Sequence, residues 1–516
     1  MNPVTRRIAI VGGGISGLTA AYELERARLA GAPIDWQLYE AGDRFGGISE
    51  TSRVESHHGE FILEGGPDGW VSEKPWAREL AIELGLEDQL IYSNDATRKT
   101  WILLDGKLQP IPDRTRLMVP EDLSALENSP LFSAEAKLAY ADELSSAEQL
   151  KHNTPDKDES VASFIRRHFG HEVLRKLAAP LLSGVFGGDV ETLSVRAVMP
   201  QFVAMEREHG SLIAALQAKA AARGDQLQQP IFTSLHNGLG SLIAALVAKL
   251  PTDRLHLRSQ ARECSRAAES GWMLHIALES VRGCSNRYVL FDRLILATPL
   301  DVTRRLLQPL DYDAAALLPK DASSAVLTAF VWPAETAPSF TLPQGFGLLV
   351  PPAKTEGAGA FRPLKSSHEK EGASAPGNSG VHLLAATFVH QKFPGRAPSG
   401  AAVIRTFFGA GSAEHFAKSP DTEIAAASLT QLREILGPLP DPAAEFTTVR
   451  RWPRSLPQYA IGHLDRMAEL AVRVEDIGHL TLLGNSYRGV GLPDLIRDAR
   501  TAAAELLAQI ATAPIR

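Results

Sequence analysis

Residues 8–17 read Ile8-Ala9-Ile10-Val11-Gly12-Gly13-Gly14-Ile15-Ser16-Gly17, and this stretch decides the fold. A short apolar run of β type, Arg7 to Val11, meets a glycine turn. An apolar pattern of helical period follows from near Ser16 to about Ala30, with Ile15, Leu18 and Tyr22 on one face. Gly31 and Pro33 end that helix. A second strand, Ile34 to Tyr39, delivers Glu40 at its C-terminal end. Gly12-x-Gly14-x-x-Gly17 between strand and helix is a dinucleotide-binding spacing, and each glycine has a mechanical reason. Gly12 permits the tight turn, Gly14 lets the backbone approach a pyrophosphate, and Gly17 lets the helix pack closely on the strand. Gly13, Ile15 and Ser16 complete the turn, and the helix N-terminus offers free N–H groups to the phosphates. Glu40 follows Gly17 by twenty-three residues. A carboxylate there accepts from both ribose hydroxyls and repels a 2′-phosphate, which argues against NADP.

Composition bounds the rest. A chain of 516 residues suggests roughly three domains. Its 44% hydrophobic and 22% charged residues are ordinary for a globular chain with a large core. A formal net charge of −7 argues against a nucleic-acid binder. Two cysteines, Cys264 and Cys284, exclude a disulfide framework and a Cys-rich zinc site, and are expected to be reduced thiols. No apolar run reaches the roughly 18 residues that span a bilayer. The N-terminal residues lack the apolar region and cleavage site of a signal peptide. A cytoplasmic location is expected, with peripheral membrane contact left open.

Further along, residues 75–90 read as a helix entered by Pro75. Trp101 to Leu104, Asp105-Gly106 and Lys107 to Ile111 read as a hairpin with a type I′ turn. From about 115 to 225 the pattern is helical, with a polar loop from Lys151 to Glu159 and a helix opening at Ser160. The string Gly210-Ser211-Leu212-Ile213-Ala214-Ala215-Leu216 recurs at Gly240 to Leu246, which predicts two helices with similar starts rather than a solenoid. Residues 255–297 read as a β-meander. Ala353 to Gly380, rich in small and polar residues, reads as a mobile surface insertion. The last forty residues give a strand, Leu480 to Leu483, a glycine turn, and a helix from about Pro493 to Ile510.

After the acid comes Glu40-Ala41-Gly42-Asp43-Arg44-Phe45-Gly46-Gly47, which resembles the extension found in FAD members of the amine-oxidase superfamily. Longer strings narrow the resemblance. They are Phe61 to Asp68 (with Gly65-Gly66-Pro67-Asp68), Leu181 to Asp189, Leu193 to Ala197, Glu206 to Leu212, Trp452-Pro453 with Pro457-Gln458-Tyr459 and Gly462-His463, and Gly484 to Asp494. In order and over nearly the whole length, they resemble the protoporphyrinogen/coproporphyrinogen III oxidase family.

The resemblance implies FAD. It implies a fold of α/β plus α+β class: a discontinuous Rossmann-like FAD-binding domain (1–93, 231–305 and 475–516), a mixed β-sheet substrate domain (94–114, 205–230 and 306–474), and an inserted helical, membrane-facing domain (115–204). It implies removal of six hydrogens from protoporphyrinogen IX, in haem biosynthesis, with dioxygen as acceptor. Coproporphyrinogen III is the alternative substrate, and another amine oxidase or desaturase of the superfamily a more distant one. Cofactor contacts carried over are Gly12, Gly13, Gly14, Ile15, Ser16, Gly17, Glu40, Ala41, Arg44, Gly46, Gly47, Gly65, Gly66, Pro67, Asp68, Ala261, Trp452, Val490, Gly491 and Leu492. Arg98 and Lys99 are the candidate bases for substrate propionates.

No catalytic acid or base is named. His463 is read as holding a turn, and Arg488 as a candidate contact to FAD or a substrate carboxylate. Leu117-Met118-Val119-Pro120 and Leu131-Phe132 are candidate slot residues or plain core. Two departures stand out: the family often has Asn where Asp68 sits, and Thr100 rather than a base precedes Trp101. A ferrochelatase partner and a homodimer are expectations from pathway and family only.

Overall fold

The computed structural model describes residues 4–57, 59–223, 229–267, 271–280, 283–351, 381–442 and 446–512. The insertion read at 353–380 lies outside the described residues. A five-stranded sheet forms the nucleus, ordered Leu255–His256, Ile34–Tyr39, Arg6–Val11, Arg293–Leu296 and Leu480–Leu482, with every pairing parallel. Parallel strands are covered on both faces and so run continuously apolar. Ile8, Ala9, Ile10, Ile295 and Leu296 are fully buried accordingly. The helices Ile15–Leu29, Gly240–Ala248 and Leu492–Thr512 cover one face, with Trp36 in the same core. Trp36 has its one polar atom satisfied, since Nε1 donates to Glu25 Oε2 at 2.9 Å.

A seven-stranded mixed sheet forms the second layer system. Its order is Thr447–Pro457, Ala322–Trp332, Ala402–Gly409, Ala385–Phe388, Gly347–Leu349, Thr100–Leu104 and Lys107–Pro110. The last two strands are the hairpin expected from Asp105-Gly106, and both turn residues have positive φ (48° and 74°), as a type I′ turn requires. The meander is a three-stranded antiparallel sheet, Ser259–Arg266, Trp272–Ser280 and Gly283–Phe291.

The helical region has its own core around Phe164, Ile165, Phe169 and Tyr140. Ser160 caps its helix Val161–Val173, the Oγ accepting from Ser163 N at 3.0 Å. Met118, Val119 and Leu131 are fully buried in this core, and Phe132 nearly so. They are core residues rather than walls of an open slot. The helix expected over 75–90 is shorter, Trp76–Glu83, because Gly85 takes a φ of +80° and stops it; Glu87–Gln89 forms a separate 3-10 turn. The two copies of the repeated string sit in separate helices, Leu212–Arg223 and Gly240–Ala248. Among the described residues no helix is long and apolar enough to cross a membrane.

Candidate active site

Three chain segments meet at the C-terminal edge of the parallel sheet, where open α/β sheets place their ligands. The first is the Gly12–Gly17 turn. A Cβ on Gly12, whose φ is +106°, would stand 2.2 Å from Ala297 O, and one on Gly17 would stand 2.0 Å from Gly12 O. Backbone therefore fills both places, and no larger residue fits. At Gly14 the opposite holds: nothing lies within 4 Å of an added Cβ. Gly14 caps the helix Ile15–Leu29 with no side-chain acceptor for the first amides. An open, uncapped helix end of this kind suits a phosphate group.

Glu40 stands beside the turn. Its two oxygens accept from Gly13 N and Gly42 N, each at 2.7 Å. Ser259 N donates to Glu40 O at 2.8 Å, which ties in the strand carrying Ala261, itself buried.

The second segment runs from Arg44 to Gly66. Gly46 N donates to Gly13 O at 2.8 Å, and a Cβ on Gly47 would stand 3.4 Å from Gly14 Cα. The chain continues through Ile48, whose carbonyl lies 1.9 Å from where Gly66 would carry a Cβ. A glycine-floored track thus leads from the helix end to Gly65-Gly66-Pro67. Arg44 organises this turn from within. Its Nη2 donates to Gly47 O at 2.6 Å and pairs with Glu50 at 3.0 Å. Trp452 pins the floor from the seven-stranded sheet, donating Nε1 to Gly65 O at 2.6 Å.

The third segment, Gly484 to Leu492, leads into the helix Leu492–Thr512. Ala297 and Thr298 separate it from the first, because an added Cβ on Gly484 would stand 3.8 Å from Thr298 O. Val490 and Gly491 precede the helix start, and Gly491 O accepts from Leu495 N at 3.1 Å.

Tyr459 and His463 fix this turn. Their rings stack at 4.0 Å and 12°. Tyr459 Oη donates to Asn485 O at 2.6 Å and accepts from Gly489 N at 3.1 Å. His463 Nε2 donates to Tyr487 O at 2.8 Å. A carbonyl only accepts, so the Nε2–H tautomer is required. Burial pushes His463 down to about 4, which keeps the ring neutral. The expectation that His463 holds a turn is met. Arg488, in the same turn, is exposed.

Asp68 extends the site toward the seven-stranded sheet. Its carboxylate accepts from Lys392 Nζ at 2.9 and 3.0 Å, and Arg405 Nη1 lies 3.5 Å away. Burial opposes its ionisation, yet Lys392 and Arg405 outweigh that and hold it below the usual carboxylate range. Arg405 also donates to Gly66 O. Glu64 accepts from Arg396 Nη1 at 2.9 Å, Leu239 N at 2.7 Å and Thr51 Oγ1 at 2.7 Å. Sequence reading missed Lys392, Arg396 and Arg405. The one available signal was a lone Arg405 inside the apolar run Val403-Ile404-Arg405-Thr406-Phe407-Phe408.

The backbone that leads to Arg98 and Lys99 is tied to this part of the fold. Asn94 N donates to Lys392 O at 3.0 Å, and Phe346 N donates to Lys99 O at 2.7 Å. Arg98 is half-buried and Lys99 exposed. Neither side chain is held by a hydrogen bond or ion pair among the described residues. No group of His, Cys, Asp and Glu able to hold a metal occurs among the described residues. The open helix end, Glu40 and the glycine track fit a dinucleotide.

Comparison with known proteins agrees. The model of the flavin containing amine oxidoreductase family matches residues 15–507. The chain is 28% identical to the coproporphyrinogen III oxidase of Bacillus subtilis, covering 98% of this chain and 99% of that one. It is 27% identical to the chloroplastic protoporphyrinogen oxidase 1 of Spinacia oleracea, covering 96% and 83%. A crystal structure from Exiguobacterium sp. 255-15 that carries a protoporphyrinogen oxidase name superposes with a TM-score of 0.77 at 28% identity, covering 98% and 100%.

Proposed function

The chain belongs to the flavin containing amine oxidoreductase family and is an FAD-dependent oxidoreductase, and from that premise we propose that it oxidises protoporphyrinogen IX to protoporphyrin IX with dioxygen as acceptor. The observation that carries this reading is end-to-end similarity to relatives named for porphyrinogen oxidation.

When bound, FAD would supply the redox chemistry that couples porphyrinogen oxidation to reduction of dioxygen to hydrogen peroxide. The protein's own contribution is binding, orientation and exclusion of water. The Gly12–Gly17 turn and the open helix end would hold the pyrophosphate, and Glu40 would hold the ribose. Gly65-Gly66, held by Trp452 and Arg405, forms the floor of the ring site. The 485–489 turn, held by Tyr459 and His463, would be a further part of the FAD site. A large, flat, apolar substrate with carboxylate edges requires bases at the rim of its slot. Arg98 and Lys99, whose side chains have no ion-pair partner among the described residues, are the two candidates, and two match the two propionates of protoporphyrinogen IX. Aromatising a porphyrinogen needs little acid–base help, and no side chain is assigned that role.

A second reading, coproporphyrinogen III as substrate, is favoured by the bacterial relatives that match over almost their entire length. The experiment that separates the two is steady-state kinetics of holoenzyme with both porphyrinogens, in wild type, Arg98→Gln and Lys99→Gln. The proposed reading expects wild type to have the higher kcat/KM with protoporphyrinogen IX. It expects each substitution to raise KM about tenfold, one charge-assisted contact being worth ~1.5 kcal/mol. A higher kcat/KM with the tetracarboxylate supports the second reading. Unchanged KM in both variants refutes the assignment of the two bases.

A further inference from the structure

The charges around Asp68 do not balance. Lys392, Arg396 and Arg405 face Glu64 and Asp68, three cations against two carboxylates. Four of the five side chains come from remote parts of the chain or lie inside strands, and all are largely withdrawn from water. Arg396, Arg405 and Glu64 are each at most 2% exposed, Lys392 12% and Asp68 17%. The Nε atoms of Arg396 and Arg405 are buried and have no hydrogen-bond partner. On the other side of the floor, Arg44 and Arg450 share the single carboxylate of Glu50, at 3.0 and 2.6 Å. That triad is half-exposed and screened by solvent, but it has the same sign.

A buried cation without a counter-charge is costly. The cost is offset where an anion forms beside it. On the FAD assignment the ring end of the cofactor would lie at Gly65-Gly66, where the glycine track ends, and Arg405 donates directly to Gly66 O. Reduction of a flavin by two electrons and one proton leaves it with one negative charge more than before.

We propose that the surplus positive charge of Lys392, Arg396 and Arg405 over Glu64 and Asp68 raises the reduction potential of the bound flavin by stabilising the charge it gains on reduction. This rests on the FAD assignment and not on the identity of the substrate. The same side chains also lock the seven-stranded sheet to the FAD cradle, so a purely structural role must be told apart from an electrostatic one.

The test is the anaerobic midpoint potential of purified holoenzyme at neutral pH, measured with reference dyes and without porphyrinogen. Wild type is expected to favour the reduced flavin at least tenfold more than free FAD does, which is about 30 mV for a two-electron couple. Lys392→Met removes a positive charge and is expected to shift the equilibrium about tenfold toward oxidised flavin. Asp68→Asn removes a negative charge and is expected to shift it by a similar factor the opposite way. Opposite signs are the signature of charge, because loss of packing does not depend on the sign removed. Shifts of one sign in both variants, or none, overturn the proposal. If neither variant folds, a wild-type potential at or below that of free FAD overturns it, and one at least tenfold above supports it. Porphyrin formation plays no part in the readout, so a failed substrate assignment leaves this result standing.

Discussion

Tyr459→Phe isolates the clamp on the 485–491 turn. The substitution keeps the ring and its stack on His463 and deletes one oxygen atom. That oxygen donates to Asn485 O and accepts from Gly489 N, and the residue is 2% exposed. Each bond contributes about 1 kcal/mol net, so roughly 2 kcal/mol of restraint on the turn is lost. The turn leads into the helix Leu492–Thr512, which faces the cofactor cradle. If ordering it is a precondition for binding, that energy reappears as about a 30-fold weaker affinity for FAD. The assay is fluorescence titration of deflavinated protein with FAD, alongside thermal unfolding. Tyr288→Phe serves as control, because Tyr288 is 65% exposed and only stacks on His275. A Tyr459→Phe protein that binds FAD as tightly as wild type refutes the clamp, whatever its melting temperature.

Other outcomes follow from the same geometry. Gly66→Ala places a methyl 1.9 Å from Ile48 O, a backbone atom that cannot step aside, so the purified variant is expected to carry little flavin, read as the 450/280 nm absorbance ratio. His463 must charge as pH falls from its ordinary range through about 4, and this opposes the folded turn. FAD release on acidification is therefore expected, and His463→Gln, which keeps a donor toward Tyr487 O, is expected to blunt it when flavin fluorescence is followed against pH. His168 sits between Glu143 (3.0 Å) and Glu206 (3.4 Å) in the helical core. Burial pulls its pKa down, but the two carboxylates outweigh burial and raise it. Its stabilising contribution is thus complete below the ordinary histidine range and lost as pH rises through the raised value, and His168→Gln is expected to flatten the alkaline fall in melting temperature.

The cofactor half of the site was legible because it is local. Gly12, Gly14, Gly17 and Glu40 are separated by one strand and one helix, and each answers to a steric or electrostatic need written in the sequence. Asp105-Gly106 was legible for the same reason, since a type I′ turn needs two positive φ values. The charged network was not legible. Lys392 reaches Asp68 and Arg396 reaches Glu64 across 324 and 332 residues of chain, and no local pattern marks them as partners. Asp68 itself was visible as a carried-over cofactor contact and as a departure from the family's usual Asn, but not as the partner of Lys392 and Arg405. Met118, Val119 and Leu131 show a different limit: an apolar residue in a helical region reads alike whether it lines a slot or fills a core. His463 was read as holding a turn, but only the fold shows that the turn is the one near residue 487 and that Tyr459 holds it too.

The most direct test of the central claim is porphyrin fluorescence during turnover of FAD-loaded protein under air, with protoporphyrinogen IX and coproporphyrinogen III in parallel and hydrogen peroxide measured alongside. The account predicts porphyrin formation well above the autoxidation blank, with three peroxides per porphyrin because six hydrogens leave in pairs. Fluorescence no greater than the blank with both substrates, while FAD is bound, would contradict it.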